Sequence, residues 1–463
     1  MMQSRGKVLL IDDQTGRGHA ICDLFVRTDP DTVVYYGPAH PAIVHPRVVH
    51  APSVSLGDVE TVAAFCKSND VDFTFVSWIN SLSLGYVDAL QRKGLRVVGP
   101  TQRGAELETS KRRGKRFCID HGIPTPEYMT FDDPAAAKSY VRSLGHAAVV
   151  KEDGLRTLGD GAHMCSSAGE AEAVIDEIAV RQGRAFFVLI ERRHFGTEIS
   201  IFAFTDGKSY VLFPAALDYK RALDGDRGKN CAGMGSIAPH PAADSALYRV
   251  LRHTIMDKVL RGLVREKIEY TGFIYVGALL TDEGPVTLEI NARFGDSEAQ
   301  AVLPSVRTNF TALCRQALNR QLDNVKLDTD LLHRCCIVAT QGSIRPGDER
   351  AKPGWPFGDY DAGHRIEGVD RVDPSCATVF FAGTGVDREG SLVTARGRVL
   401  NVVGLGVSRE QAIENAYRQL RQISFPGMRY RSDIGRFPVV RDGLRYPDAR
   451  HRPAGESARR LST

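Results

Sequence analysis

Over its first hundred residues the chain alternates short apolar runs with stretches in which apolar residues recur every three or four positions. The runs cover residues 7–11, 32–36, 72–76 and 95–98, each closed by polar, glycine or proline residues. A turn-rich stretch, residues 12–18, leads into a helical pattern beginning near His19. Strands separated by helices in this rhythm predict a parallel, doubly wound sheet. Gly99-Pro100 ends the last run and marks a boundary.

Beyond residue 110 the pattern changes. A basic helix over 111–118 leads to the stiff link Gly122-Ile123-Pro124-Thr125-Pro126. A strand over 147–151, a glycine-studded loop to Gly161 and a helix over 169–180 follow. Residues 186–191 and 198–204 read as strands around a hairpin turn at Phe195-Gly196. The polar, glycine-rich stretch 218–235 is long for a simple connection and reads as a functional loop. A helix over 253–267 and a hairpin over 275–280 and 286–290 come next. Residues 335–437 read as strands plus one helix, which Ser408 and Gln411 start as a capping box. The Arg/Pro/Gly/Ser-rich remainder, 438–463, has no apolar periodicity and is expected to be disordered. The expected domains are therefore 1–100, 101–334 and 335–437.

Composition narrows the function classes. Lys and Arg total 60 against 56 Asp and Glu, a net charge of +4 that argues against a dedicated nucleic-acid binder. Apolar stretches such as 185–190 fall far short of the roughly 20 residues of a membrane helix. Residues 1–6 show no signal-peptide core, and nine scattered cysteines without CxxC spacing read as reduced thiols. The expectation is a soluble cytoplasmic protein.

Four segments could carry chemistry. Glu289 and Asn291 alternate along a strand, so their oxygens share a face suited to a hard cation beside phosphates. Arg293 joins that face with a fork for a phosphoryl or carboxylate group. Lys151 precedes a glycine-rich loop through Gly159-Asp160-Gly161 that matches neither common phosphate-loop fingerprint; a plain connection has the same composition. The stretch 218–235 carries Asp218, Lys220, Asp226, Arg227, Lys229 and Asn230, which suits a loop closing over a charged ligand or a solvated surface loop. The basic run from Lys111 lacks the interleaved aromatics of a nucleic-acid patch.

Taken in order, the chain resembles the phosphoribosylamine–glycine ligases (glycinamide ribonucleotide synthetases), ATP-grasp enzymes of purine synthesis. The resemblance rests on Gly99-Pro100-Thr101, Ser110-Lys111, His121-Gly122-Ile123-Pro124-Thr125, Val150-Lys151-Glu152-Asp153-Gly154, Lys220-Arg221, Asp224-Gly225-Asp226 and Ala232-Gly233-Met234-Gly235. It continues through Tyr270-Thr271-Gly272-Phe273, residues 289–296, Ala382-Gly383-Thr384 and Gly397-Arg398-Val399-Leu400. It implies an α/β ATP-grasp fold with an N-terminal doubly wound domain, a smaller ATP-covering subdomain over 122–192 and a C-terminal domain of the same family. It also implies ligation of an amino acid to an amine through an acyl phosphate. By resemblance Lys111 and Lys151 bind ATP phosphates, with Gly159 and Gly161 in the covering loop. Glu191 marks the adenine hinge and Glu198 the ribose hydroxyls. Glu289 and Asn291 ligate Mg2+ (or Mn2+). Arg293, with Lys151, serves catalysis at the acyl phosphate, and Asp218, Lys220, Asp226 and Asp296 hold substrates.

The departures carry their own expectations. Asp160 stands where the family has lysine between two glycines, which weakens a phosphate contact unless Arg156 compensates. The family's Gly-Ser-Gly-Gly-Arg-Glu-His has become residues 12–19, with Asp12 and Asp13 expected to repel a phosphate and attract a cationic or hydroxyl-bearing amine. The family's Gly-Pro-Glu segment has become Ser77-Trp78-Ile79-Asn80. Arg227 and Lys229 are new cations that could receive an acidic side chain such as glutamate's or simply point to solvent. The leading expectation is a diverged ligase joining glycine or glutamate to another amine in a specialised pathway. Its alternatives are the purine enzyme itself and a non-catalytic nucleotide binder. Each implies small-molecule partners only and a monomer or homodimer.

Overall fold

The computed structural model describes residues 6–155, 161–343 and 356–436. Five parallel strands open it: β1 (Lys7–Ile11), β2 (Val33–Gly37), β3 (Val48–His50), β4 (Phe73–Val76) and β5 (Val97–Pro100), in the order 3-2-1-4-5. Helix α1 (Gly16–Thr28) follows β1 directly, starting ahead of His19 because the Thr15 hydroxyl accepts from Gly18 N and caps it. Its Ile21, Leu24 and Phe25 are buried in the core.

This sheet does not stop at Gly99-Pro100. Pro100 pairs with Tyr270 and Gly99 with Thr271, so the strand Tyr270–Thr281 continues it antiparallel. That strand pairs in turn with Thr197–Thr205 and with Gly284–Asn291. Stacked and edge-on phenylalanines fill the junction. Phe202 and Phe294 lie 4.1 Å apart between ring centroids, and Phe25 and Phe310 4.8 Å. Such pairs add to the burial of large apolar rings.

A separate four-stranded sheet contains Tyr128–Phe131, Val188–Arg192, Ala148–Glu152 and Ala162–Cys165, in that order. Helices Pro134–Ser143 and Ala168–Gln182 cover it through Val141, Ile175 and Ile178. The expected hairpin around Phe195-Gly196 is absent as such: Val188–Arg192 belongs to this sheet, and Thr197–Thr205 to the nine-stranded one. The chain crosses between sheets there, tightly enough that a Cβ on Gly196 would lie 2.2 Å from Leu280 O.

A third sheet joins Leu217–Asp218, Gly235–Ala238, His333–Gln341, Arg398–Gly406 and Ala377–Phe381, crossed by helix Arg409–Leu420. Ser408 accepts from Gln411 N, and Gln411 reaches back to Val407 N rather than to the cap itself. Stretch 218–235 is likewise more ordered than a loop. Its middle forms the hairpin Arg221–Leu223 with Arg227–Asn230, turned at Gly225 and Asp226, both with positive φ. Residues 438–463 and Arg156 lie outside the described residues. Among the described residues no helix is long and apolar enough to cross a membrane, and all nine cysteines are free.

Candidate active site

The three sheets meet around one cavity of about 610 Å³. At one end stand Lys111, the first residue of helix Lys111–Asp120, and Lys151 near the end of strand Ala148–Glu152. Ser110 caps that helix, accepting from Arg113 N, and its hydroxyl donates to Asp153. Lys111 Nζ donates to Gly154 O at 3.1 Å, bringing the two segments together at the cavity wall. Lys151 Nζ donates to Leu288 O at 3.3 Å and lies 2.8 Å from Glu191.

Glu191 is buried and does not line the cavity. Lys115, one helical turn after Lys111, sits 3.0 Å from the same carboxylate and donates to Thr125 Oγ1. Burial disfavours the Glu191 charge, but Lys115 and then Lys151 outweigh it and hold the carboxyl below its ordinary value. Burial brings Lys115 down to about 8, against the pull of Glu191.

The strand Gly284–Asn291 forms the middle of the wall. Glu289 and Asn291 both line the cavity, as their two-residue spacing predicts. Protein surroundings disfavour the Glu289 charge, yet Lys220, then Lys151, lower its pKa overall. Asn291 Nδ2 is buried without a hydrogen-bond acceptor. Among the described residues there is no cluster of three His, Cys, Asp or Glu that could cage a metal. One carboxylate and one amide oxygen therefore fit a magnesium-type ion completed by substrate phosphates, not an all-protein cage. Arg293 lies beside them, its guanidinium 2.8 Å from Glu108, which also accepts from Ala292 N.

Across the cavity, Lys220 bridges Glu198 at 2.6 Å and Asp218 at 3.5 Å. Burial and the neighbouring Glu298 push the Asp218 carboxyl well up, and its Oδ1 is buried without a hydrogen-bond partner. Gly233 is required here: it has a φ of +76°, and a Cβ would lie 2.9 Å from Asp218 Oδ1 and 3.0 Å from Asp296 O. Asp296 accepts from Gln300 at 2.6 Å and Arg398 at 3.1 Å.

The far end is built from the β1–α1 turn, Trp78 to Asn80, and the segment 396–398. Asp12 is fully buried beneath that turn, where it accepts from Thr15 N, Thr15 Oγ1, Tyr36 Oη and Ser77 Oγ. It presents no charge to the cavity. Asp13 does line it, but its carboxylate is engaged by Arg396 at 2.9 and 3.1 Å.

Of the residues singled out from sequence, Lys111, Lys151, Gly161, Glu289, Asn291 and Arg293 share this wall with Asp218, Lys220, Asp296 and Asp13. Asp12, Glu191, Glu198, Asp226, Arg227 and Lys229 are not among its lining residues. Asp226 pairs instead with Arg431 at 3.1 Å, and the exposed Arg227 donates to Asp224 O. Gly159 and Asp160 lie outside the described residues. Sequence reasoning missed Arg17, Glu108, Lys115, Glu298 and Arg396 on the wall. Only Lys115 carried a local signal, its i+4 spacing from Lys111.

Family models match three consecutive stretches. The phosphoribosylglycinamide synthetase N domain matches residues 6–108, the ATP-grasp (A) domain 109–299 and the C domain 350–437. A phosphoribosylamine–glycine ligase of Caldanaerobacter subterraneus subsp. tengcongensis is 35% identical over 433 residues, covering 92% of this chain and 99% of the relative. One of Ralstonia nicotianae is 37% identical over 431 residues, covering 92% and 98%. The crystal structure of the Thermotoga maritima phosphoribosylamine–glycine ligase superposes with a TM-score of 0.76 at 26% identity, covering 92% of this chain and 100% of that one.

Proposed function

The chain belongs to the phosphoribosylglycinamide synthetase family of ATP-grasp, ADP-forming ligases, and on that premise we propose that it joins glycine to phosphoribosylamine. The observation that carries this reading over an altered amine is the internal neutralisation of the β1–α1 turn. Asp12 is buried in hydrogen bonds and Asp13 is paired with Arg396, so neither offers a free negative charge to repel a phosphate. Relatives bearing that activity's name and covering 92% of the chain support the same reading.

The chemistry follows from the wall. A carboxylate is a poor acyl donor until one of its oxygens becomes a good leaving group. A glycine carboxylate oxygen would attack the γ-phosphorus of ATP, releasing ADP. The amine nitrogen would then attack the carbonyl carbon of the acyl phosphate, expelling phosphate and losing a proton. Lys111 and Lys151 would neutralise the triphosphate from two sides. Mg2+, or Mn2+ in its place, would be held by Glu289 and Asn291 and would offset phosphate charge. Arg293 would face the transferred phosphoryl group, with Glu108 fixing its orientation. Asp218 and Glu298 both line the cavity, where the glycine ammonium would sit between them and supply the counter-charge that favours the ionised Asp218.

Two features weaken the glutamate alternative: neither Arg227 nor Lys229 is a lining residue. A different amine is favoured by one observation, the wall of Trp78 and Ile79 at the far end. The test is Mg2+-dependent ADP release with glycine and freshly generated phosphoribosylamine, against controls lacking each. Release dependent on both substrates is expected. No release from folded, ATP-binding protein would overturn the reading in favour of another amine.

A further inference from the structure

Arg396 and Asp13 are 383 positions apart in the chain yet form a forked pair at the far end of the cavity. Arg396 Nη2 donates to Asp13 Oδ1 at 2.9 Å, and Nη1 to Oδ2 at 3.1 Å and to the Asp13 carbonyl at 2.8 Å. Both residues line the cavity. The neighbouring cations differ from Arg396 in one respect. Arg398 is 18% exposed and tied to Asp296 and to the carbonyl of Ala232, and Arg17 is 6% exposed. Arg396 is 44% exposed and its partner Asp13 28%. It is thus the arginine here whose partner can turn out toward water at little loss, because solvent screens a half-exposed pair.

The same fork that fits a carboxylate fits a phosphate monoester, which brings a second negative charge. The surroundings favour an anion at this end. Arg17 is buried and lines the cavity at the first turn of α1; its Nε lacks a hydrogen-bond partner, while its backbone N–H and that of Gly18 are taken by Asp296 and Thr15 and its guanidinium lies 4.0 Å from Asp12.

We infer that Arg396 binds the phosphate of a phosphorylated sugar amine, and that Asp13 is a built-in competitor which occupies that guanidinium and sets the affinity for the phosphate. This deepens the proposed function and rests on it for the identity of the substrate. Asp13 acts through Arg396 and is a positioning residue; Arg396 is the group that touches substrate. The pair also explains why an acidic turn is compatible with a phosphorylated ligand: its negative charge is exchanged, not added.

The test uses the full-length protein and ribose 5-phosphate as probe, with unphosphorylated ribose as control, by titration calorimetry. Asp13→Ser and Asp13→Asn should each bind ribose 5-phosphate about three- to fivefold more tightly than wild type, the range expected for releasing a half-exposed ion pair. Arg396→Ala should bind it at least tenfold more weakly, and the Asp13→Ser/Arg396→Ala pair should show no gain over Arg396→Ala alone. Ribose affinity should not follow this pattern. In turnover, Asp13→Ser should lower the KM for phosphoribosylamine relative to that for glycine. Equal ribose 5-phosphate affinity in wild type and all variants would overturn the inference and leave a purely structural tie. Arg396-dependent binding without turnover of phosphoribosylamine would instead sustain the inference while overturning the proposed substrate. Asp13→Asn, close in shape to the original, keeps the comparison decisive if Asp13→Ser loosens the turn.

Discussion

Lys151 holds its ammonium 2.8 Å from the buried carboxylate of Glu191, so a cation lining the cavity is anchored from behind by an anion that never reaches it. Lys115 shares that anion from the other side. Glu191→Gln would leave two largely buried ammonium groups without a counter-charge. Loss of one partner of such a buried pair costs about 3–5 kcal/mol. Urea unfolding should register that loss, and the KM for ATP should rise as Lys151 loses its orientation. Unchanged stability would show that solvent already compensates these lysines.

Glu289 presents the opposite case, a carboxylate facing the open cavity. Glu289→Ala should abolish Mg2+-dependent ADP release while leaving the melting temperature within a degree or two of wild type. Retained turnover would remove Glu289 from the metal assignment.

The charged hairpin 221–230 is held by the segment that follows the C-terminal sheet. Arg431 is 1% exposed and joins Asp226 at 3.1 Å to Asp433 at 2.8 Å. Because neither Arg227 nor Lys229 lines the cavity, replacing both with alanine should leave the kcat/KM ratio for glycine over glutamate unchanged. A shift of that ratio by tenfold or more would bring the hairpin back into amino-acid selection.

Two histidines, His40 buried and His19 half-buried, give the protein a pH dependence of stability. Burial lowers His19 to about 3 and His40 to about 4, and Phe381 N donates to the neutral His19 Nδ1. Between pH 6.5 and about 4 the unfolded chain binds more protons than the native one, so their contribution is present above pH 6.5 and is lost as pH falls through this window. The slope should be about 1.4 kcal/mol per pH unit for each histidine. His40→Leu should roughly halve it in denaturation curves between pH 6.5 and 5. An undiminished slope would assign the dependence to carboxylates.

Much of this was legible in the chain itself. Four of the five parallel strands of the first hundred residues (all but β3), the helix at Lys111 and the hairpin carrying Glu289 and Asn291 followed from apolar periodicity and turn residues, which are local properties. The strand register placed Glu289 and Asn291 on one face because side chains alternate with a period of two, whatever surrounds them. Ordered motifs along the chain likewise pointed to the family.

What the sequence could not determine was which charges remain available to a ligand. Asp12 and Asp13 read as a pair of free carboxylates, and Arg227 and Lys229 as cations within possible reach of a substrate. Tertiary structure decided otherwise. Asp12 is enclosed by Tyr36 and Ser77, Asp13 meets Arg396 from the far end of the chain, and the hairpin is drawn toward Arg431. The same holds for the crossing between Glu191 and Glu198, which looks like a hairpin locally but feeds two different sheets. The physical reason is common to all three. A charge is neutralised, or a strand paired, by whatever the fold brings within a few ångströms, and that partner's position in sequence leaves no mark on the local pattern.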